Sequence, residues 1–345
     1  MNILLTSAGR RTYLVNYFKD ALRLAGRKGE VHAANSQVCP AFFAADRQVV
    51  TPLIYDPQYI PFLLEYCRRW QIELLIPLFD IDVPVLAAYR QAFAEIGCVV
   101  VTADPDKAEI CNDKWKTYLF LMEHSELLSR EGVGAPKTWL DVESAVQQAK
   151  DAAVQYPMIV KPRWGMGSLS IYQADDEEEL RLFVKKGLRE IGSSYLRYES
   201  ARAPEHCALI QEKLQGQEYG LDVINDLDGR YRTTIVKRKA AMRSGETDAA
   251  ETAENQQLKN LGRILGNLMK HRGNLDVDVF EANGQYYILE MNARFGGGYP
   301  FSHVAGIHLP YALVKWRAGE EPEPQYLEAR AGVRAQKDIQ ILVEG

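Results

Sequence analysis

Residues 275–294 read LDVDVFEANGQYYILEMNAR, and this stretch decides the fold. Two runs rich in β-branched and aromatic residues, Leu275 to Glu281 and Tyr286 to Asn292, flank Asn283-Gly284. An Asn-Gly pair supplies the positive φ values that a tight two-residue hairpin turn requires, so the spacing predicts an antiparallel hairpin. Glu290 and Asn292 are two residues apart and share one strand face, and Asp278 can lie opposite them. Two carboxylates and an amide oxygen form a hard oxygen cage of the kind that suits Mg²⁺ bound to phosphates. Arg294, just beyond, can neutralise a phosphate oxygen bidentately. Solvent-facing hairpin polarity is the competing reading of the same residues.

Upstream of the hairpin, Ala208 to Glu212, Glu218 to Asn225 and Tyr231 to Lys237 are further strand candidates, with Asp228-Gly229 as a turn. A helix over Gln256 to Lys270 interrupts them, and another over Leu309 to Ala318 follows Gly296-Gly297-Gly298. The first hundred residues have a different rhythm. Short apolar runs at Asn2–Thr6, Val31–Asn35, Ile72–Pro77 and Cys98–Val101 alternate with amphipathic helices, the signature of a small parallel sheet. Between these regions, Ile159-Val160-Lys161-Pro162 reads as a strand entering the loop Arg163-Trp164-Gly165-Met166-Gly167-Ser168. Gly165 and Gly167 let backbone N–H groups approach an anion, Ser168 adds a hydroxyl, and Lys161 supplies a point charge for phosphate. The pattern is not a P-loop, because no Gly-Lys-Ser/Thr tail opens a helix. Lys114 stands in a polar helical segment, where a lysine is ordinarily a surface residue. Gly192 to Glu205 reads as a surface loop, the dense cation run Lys237 to Lys239 as a solvated face, and Asp80 and Asp82 as helix caps first, with hydrogen bonding to a substrate amine as the alternative. Ile339 to Val343 reads as a terminal strand.

Composition bounds these readings. The 345 residues carry 41 Lys+Arg against 46 Asp+Glu, a formal net charge of -5, with 47% hydrophobic residues. This mild acidity, the scattered aromatics and the lack of a long basic stripe predict no nucleic-acid partner. No apolar run approaches the roughly 20 residues needed to cross a bilayer, and a strand begins at once, so no membrane partner or targeting segment is expected. Five widely spaced cysteines without a C-x-x-C pair predict a reduced, cytoplasmic chain.

Together these features resemble the ATP-grasp superfamily, and more narrowly the stand-alone proteins related to the large subunit of carbamoyl-phosphate synthase. Asn112-Asp113-Lys114 is similar to the first nucleotide-lysine motif, and Lys161 with Gly165-Met166-Gly167-Ser168 to the second lysine and its glycine-rich lid. Gln211-Glu212 is similar to the adenine-contacting hinge, and Gly216 to Val223 to the motif whose acidic residue, here Glu218, meets the ribose. Asp278 with Glu290-Met291-Asn292-Ala293-Arg294 resembles the metal-binding hairpin, with Ala293 where the family usually has proline. The narrower resemblance rests on Ser7 to Arg11, on Lys237 to Lys239 with Gly245-Glu246, and on Phe295 to Pro300.

The resemblance implies an α/β chain with an ATP-grasp fold preceded by a small parallel-sheet, Rossmann-like domain. The implied limits are 1–110 for that domain, 111–208 for the lid subdomain, 209–320 for the large subdomain with the metal site, and 321–345 for a C-terminal extension. The implied cofactors are ATP and Mg²⁺. The implied roles are catalysis by Lys161, Arg294 and Arg243, with Lys239 or Arg243 on the substrate carboxylate. Nucleotide binding falls to Lys114, Lys161, Gly165, Gly167, Ser168, Glu212 and Glu218, and metal binding to Asp278, Glu290 and Asn292. The expected reaction is activation of a small-molecule carboxylate as an acyl phosphate and its joining to an amine or other nucleophile, by a protein that forms a homodimer. A non-catalytic ATP-binding regulator and an ATP-grasp phosphotransferase are the competing functions. With one ATP-grasp module where carbamoyl-phosphate synthesis uses two, the full synthase reaction is not expected.

Overall fold

The computed structural model describes residues 1–165, 169–243, 245–339 and 341–342. Gly167 and Ser168 of the glycine-rich loop lie outside the described residues. The chain opens on a parallel sheet of β1 (Asn2–Thr6), β2 (Val31–Asn35), β3 (Arg47–Val50), β4 (Ile72–Pro77) and β5 (Val99–Val100). Its spatial order is β3-β2-β1-β4-β5, so the winding reverses between β1 and β4. The edge strand β3 carries no apolar run, and hence left no sequence signal. The helix Thr12–Leu24 buries Leu14, Val15, Phe18, Ala21 and Leu22, one stripe at helical period.

The polar segment after Asp104 forms two helices, Pro105–Asn112 and Lys114–Glu123. Asp113 breaks them: its side chain accepts the N–H groups of Trp115 and Lys116 at 2.9 and 3.3 Å and so caps the second helix. Phe120, Leu121, Leu128 and the short β6 (Val133–Gly134) then pack with Val277, Val279 and Ile288 of the large sheet described below.

A four-stranded antiparallel layer follows, formed by β7 (Thr138–Trp139), β8 (Met158–Pro162), β9 (Tyr172–Ala174) and β10 (Ala208–Glu212), ordered β7-β10-β8-β9. Helices Val142–Lys150 and Glu177–Ser193 cover it. The stretch expected as a surface loop instead continues that second helix and adds the short helix Arg197–Ser200. Leu196, Glu199 and Ser200 there are buried, because Leu196 packs into the layer's apolar core and Glu199 meets Asn112.

The remaining strands are β11 (Gln217–Asn225), β12 (Tyr231–Arg243), β13 (Glu246–Ala253), β14 (Gly273–Ala282), β15 (Gln285–Asn292) and β16 (Arg334–Gln336). With β6 they form a seven-stranded sheet ordered β16-β13-β12-β11-β14-β15-β6, antiparallel except for β15 against β6. Helix Gln256–Met269 lays Leu258, Leu261, Leu265 and Met269 on it. The tail strand is β16 on β13, whereas Ile339, Ile341 and Leu342 are not in a strand. By sheet membership the four-stranded layer runs from 138 to 212, residues 105–134 go with the large sheet, and the tail joins it.

The first and last parts of the chain share one core. Helix Leu309–Arg317 packs on helix Thr12–Leu24, and Phe295 meets Phe18 edge-on at 6.0 Å. Each large apolar side chain buried there stabilises by roughly 1.5–3 kcal/mol. Among the described residues no helix is long and apolar enough to cross a membrane.

Candidate functional site

The β14–β15 hairpin turns at Asn283 (φ 52°) and Gly284 (φ 75°), the two positive φ values that a tight primed turn needs. This turn sets the register from Ala282 opposite Gln285 to Val279 opposite Ile288, and a bulge at Leu289 then places Asp278 opposite Glu290 and Asp276 opposite Asn292. The Asn292 amide N–H lies 3.4 Å from Glu290 Oε1. Three oxygen-bearing side chains of the predicted cage are thus assembled by one hairpin.

A cation from the neighbouring strand already engages them. Lys239 Nζ on β12 bridges Glu218 at 2.5 Å and Asp278 Oδ1 at 2.7 Å. To do so its side chain crosses β11 at Gly220, where a Cβ would stand 3.3 Å from Lys239 Cε and 3.6 Å from Lys237 Cε. Lys237 is also buried, ion-paired with Asp222, which further accepts from Ser302 and from Asn274 at 3.0 Å. The cation run is therefore no solvated face: only Arg238 points to solvent, because alternate strand residues face opposite ways.

Two lysines approach from the other side. Lys161, buried on β8, donates to Gln211 Oε1 at 2.8 Å, and Gln211 in turn donates to Thr138 at 2.9 Å. Lys114 Nζ donates to the Gly165 carbonyl at 2.6 Å and lies 3.5 Å from Glu290 Oε2. The base of the glycine-rich loop is clamped as well, since Arg163 forks onto buried Asp113 at 2.8 and 2.7 Å. Asn112, Asp113 and Lys114 thus each bond to the lid layer, Asn112 through Glu199 at 3.1 Å.

These positions pull the ionisable groups apart. Burial, reinforced by Lys114, lowers the Lys161 ammonium pKa to about 8. Burial raises Asp278; Lys239 partly opposes this, while Asp276 and Glu290 add to it. Burial also works to raise Glu290, but Lys114, Lys161, Arg294 and Lys239 outweigh it and hold Glu290 below the usual carboxylate range. Adjacent carboxylates pushed in opposite directions mark a site built for charge handling.

Arg294 is buried and ion-paired on two sides, although its Nε–H makes no hydrogen bond. Its guanidinium meets Asp80 at 2.9 and 3.2 Å and Asp276 Oδ2 at 2.7 Å. Asp80 is therefore an ion-pair partner rather than a helix cap, and Asp82 accepts from Thr6 at 2.6 Å and Tyr59 at 2.7 Å. The following loop approaches so closely that a Cβ on Gly296 would fall 2.2 Å from Asp276 Oδ1.

The structure therefore links Lys114, Gly165, Glu218, Asp278, Glu290, Asn292 and, through charge, Lys161 and Arg294. It does not bring Arg243 to them. That side chain is half-exposed and paired with Asp248, because two register shifts after Lys239 interrupt the strand alternation. Glu212 accepts the backbone N–H of Lys137 at 2.8 Å and, among the described residues, makes no hydrogen bond or ion pair to the cluster. Sequence reading missed Asp276, although it stands two residues before Asp278, and it did not foresee that Lys239 would bridge Asp278 and Glu218. Among the described residues no three His, Cys, Asp or Glu side chains form a metal cluster. The donor set that fits a hard cation is two carboxylates and one amide oxygen.

A family model described as PylC-like, N-terminal domain, matches residues 3–101. A second, described as ATP-grasp in the biosynthetic pathway with Ter operon, matches residues 205–340 and includes the whole hairpin. The chain carries an ATP-grasp domain. The fold comparison agrees. This ATP-grasp chain superposes on a biotin carboxylase–βγ-ATP complex from Campylobacter jejuni with TM-score 0.70, over 95% of this chain and 73% of that one, at 14% identity. It superposes on the biotin carboxylase domain dimer of Hydrogenobacter thermophilus 2-oxoglutarate carboxylase, solved with MgADP and bicarbonate, with TM-score 0.69 over 93% and 70% of the chains, at 16% identity. In sequence it is 20% identical over 328 residues to the carbamoyl phosphate synthase large chain of Methanosarcina mazei. That alignment covers 87% of this ATP-grasp chain but only 28% of the relative.

Proposed function

We propose that this protein is an ATP-dependent ligase that activates a small-molecule carboxylate as an acyl phosphate and joins it to an amine. The observation that carries the proposal is one cluster in which Lys114 and Lys161 stand over the Asp278, Glu290 and Asn292 oxygens. Phosphoryl transfer to a carboxylate brings two anions together, and a site for it has to supply positive charge from fixed groups. ATP is the phosphoryl donor, and Mg²⁺ held by Asp278, Glu290 and the Asn292 amide would supply a further positive charge that orients the phosphates.

The chain's own residues do the rest. Lys161, desolvated and without a carboxylate partner among the described residues, gains most from a phosphate beside it. Lys114 has to exchange the Gly165 carbonyl for the nucleotide, which couples the lid loop to binding. Arg294, held by Asp80 and Asp276, contributes a fixed positive field rather than a free fork. Glu218 meets the ribose and is steadied by Lys239. The Hydrogenobacter thermophilus domain, with MgADP and bicarbonate, supports pairing a nucleotide site with a small carboxylate-like anion. Its dimeric state supports a homodimer for this chain, which sedimentation velocity would measure.

The test is ADP release with Mg²⁺-ATP across amino acids and small carboxylates, alone and paired with amines, with Glu290→Gln as control. Release that needs both partners and vanishes in the control establishes a ligase. Release with a single acceptor and a stable phosphorylated product makes it a phosphotransferase. Mg²⁺-ATP binding without release under any pairing favours the regulatory reading.

A further inference from the structure

Helix Leu309–Arg317 packs on helix Thr12–Leu24, but the first turn of one and the last turns of the other leave a cavity of about 430 Å³ between them. That size falls within the range of small-molecule pockets, about 300–1,000 Å³. No residue of the proposed nucleotide and metal cluster lines it. One wall is a stripe at helical spacing, with Tyr17, Asp20 and Leu24. The other is His303, from the short helix Tyr299–Val304, with His308 and Tyr311.

The walls are aromatic. The His303 ring stacks on Tyr17, with centroids 3.5 Å apart and planes 13° from parallel. His308 stands 4.6 Å from His303 at 54°. Tyr326 backs His308 and Tyr311 at 5.2 and 4.7 Å. Flat ring faces of this kind match a flat ligand.

The polar groups in these walls are unmatched and neutral. His303 Nδ1 is buried with no hydrogen-bond partner. Among the described residues the His308 ring and the Tyr17 hydroxyl form no hydrogen bond either. Burial, reinforced by His308, lowers the His303 pKa to about 4, with the Ile307 carbonyl working the other way. Burial lowers His308 as well, against the pull of Asp20. Burial and Tyr13 push the Tyr17 hydroxyl up to about 12. At the mouth Asp20 and Arg23 pair with each other and bring no net charge, and Tyr311 already donates its hydroxyl to Glu323 at 2.6 Å.

This lining selects a ligand class. A charged molecule would lose its hydration without gaining a counter-ion. A purely apolar one would cover three hydrogen-bonding groups and satisfy none of them. A sugar would bring more hydroxyls than the walls can match. Two imidazoles alone do not make a metal site, and among the described residues no group of three His, Cys, Asp or Glu completes one. What fits is a flat, neutral ring that carries donors and acceptors in its own plane.

We propose that this cavity is a second ligand site, separate from the nucleotide cluster, which takes a neutral nitrogen heterocycle of the nucleobase type against Tyr17, His303 and His308. The site stands independently of the ligase reading, because none of its residues takes part in that reaction.

The test is an NMR titration of the full chain, with the ring protons of its six histidines as reporters, assigned through His303→Phe and His308→Phe. Mg²⁺ and a saturating non-hydrolysable ATP analogue keep the probes out of the nucleotide site. The probes are adenine, hypoxanthine, cytosine, uracil and nicotinamide, with cyclohexanol and ribose as non-planar controls. At least one heterocycle should shift the His303 and His308 signals saturably and leave that of His32 unmoved. Leu24→Trp, at a 49% exposed position on the mouth, should weaken this binding roughly tenfold or more. His308→Phe keeps the ring, removes its nitrogens and should weaken binding by a similar factor, about tenfold. Neither variant should change the affinity for the ATP analogue. The proposal is overturned if no heterocycle moves either signal, if cyclohexanol or ribose moves them equally, or if Leu24→Trp binds as the parent does. Zn²⁺ moving both signals where no heterocycle does would make the pair a metal site instead. Signals that change with protein concentration alone would show that a second copy covers the cavity, and would overturn it as well.

Discussion

Lys161 should cost the protein stability that its function requires, and replacing it with methionine measures the cost. Its ammonium loses its proton at about 8, against 10.5 for an unburied lysine. Its hydrogen-bond partner is the neutral Gln211 amide, and nearby Lys114 repels it. At about 1.4 kcal/mol per tenfold change, holding that charge in the empty fold costs roughly 3 kcal/mol near neutral pH. Lys161→Met removes this cost but deprives Gln211 Oε1 of its donor, a loss of about 1 kcal/mol. The variant should therefore be more stable than the parent by about 2 kcal/mol at about pH 7.

The sign of the pH dependence follows. The folded-state value lies below the unfolded one, so the parent's stability from this group is fully present above 10.5 and is lost as pH falls through 8. The variant's advantage should shrink as pH rises from 8 toward 10.5, and near the top of that range only the lost hydrogen bond remains. Urea unfolding of both proteins at about pH 7 and about pH 9.5 reads the gap directly. Affinity for Mg²⁺-ATP should meanwhile fall roughly tenfold to a hundredfold at neutral pH, the worth of one charged hydrogen bond. A variant less stable than the parent by the same amount at both pH values would refute the reasoning, since Lys161 would then be an ordinary packed residue.

Three other changes test neighbouring parts of the structure. Arg163→Met leaves Asp113, 1% exposed, without its forked partner and should cost about 3 kcal/mol in urea unfolding; adding Asp113→Asn should recover part of it. Gly296→Ala forces a methyl group to within 2.2 Å of Asp276 Oδ1, so Asp276 has to leave Arg294 and ADP release should fall roughly tenfold or more while the fold persists. His271 is fully buried, bonded to the Val223 carbonyl at 2.9 Å, and burial lowers its pKa to about 4 against 6.5. Its folded-state value is depressed, so stability present above 6.5 should drop by roughly 3 kcal/mol as pH falls toward 4, and His271→Gln should flatten that slope in acid unfolding curves.

What could be read in the sequence is what local geometry determines. The Asn283-Gly284 pair fixed a turn, and the turn fixed the register as far as Val279 opposite Ile288; a bulge at Leu289, which has no sequence signal, then put Asp278 opposite Glu290. The same alternation would have found Asp276, because residues two apart on β14 share a face with the metal-site candidates. Lys239 was harder. Alternation puts Lys237, Lys239 and Arg243 on one face, which is why Arg243 looked equivalent, yet the shifts between Lys239 and Met242 break that phase. A bulge has no composition signal in a run such as Ala240-Ala241-Met242.

Asp80 shows the opposite limit. Just before the helix Asp82–Ala88, an aspartate is locally best explained as a cap, and the local argument is sound as far as it goes. What overrides it is a guanidinium 214 residues away, delivered by a different sheet. A short polar side chain at a helix start gives up a cap worth about 1 kcal/mol when a buried charge needs a counter-ion, because leaving Arg294 unpaired would cost about 3–5 kcal/mol. The same comparison accounts for Glu199 and Lys237, each read as surface polarity and each buried against a specific partner. Polar residues that look idle in the sequence of a chain with two sheets meeting at a cleft are therefore the ones to weigh against distant charges. In this protein they gather where the first domain's strand order reverses against the hairpin.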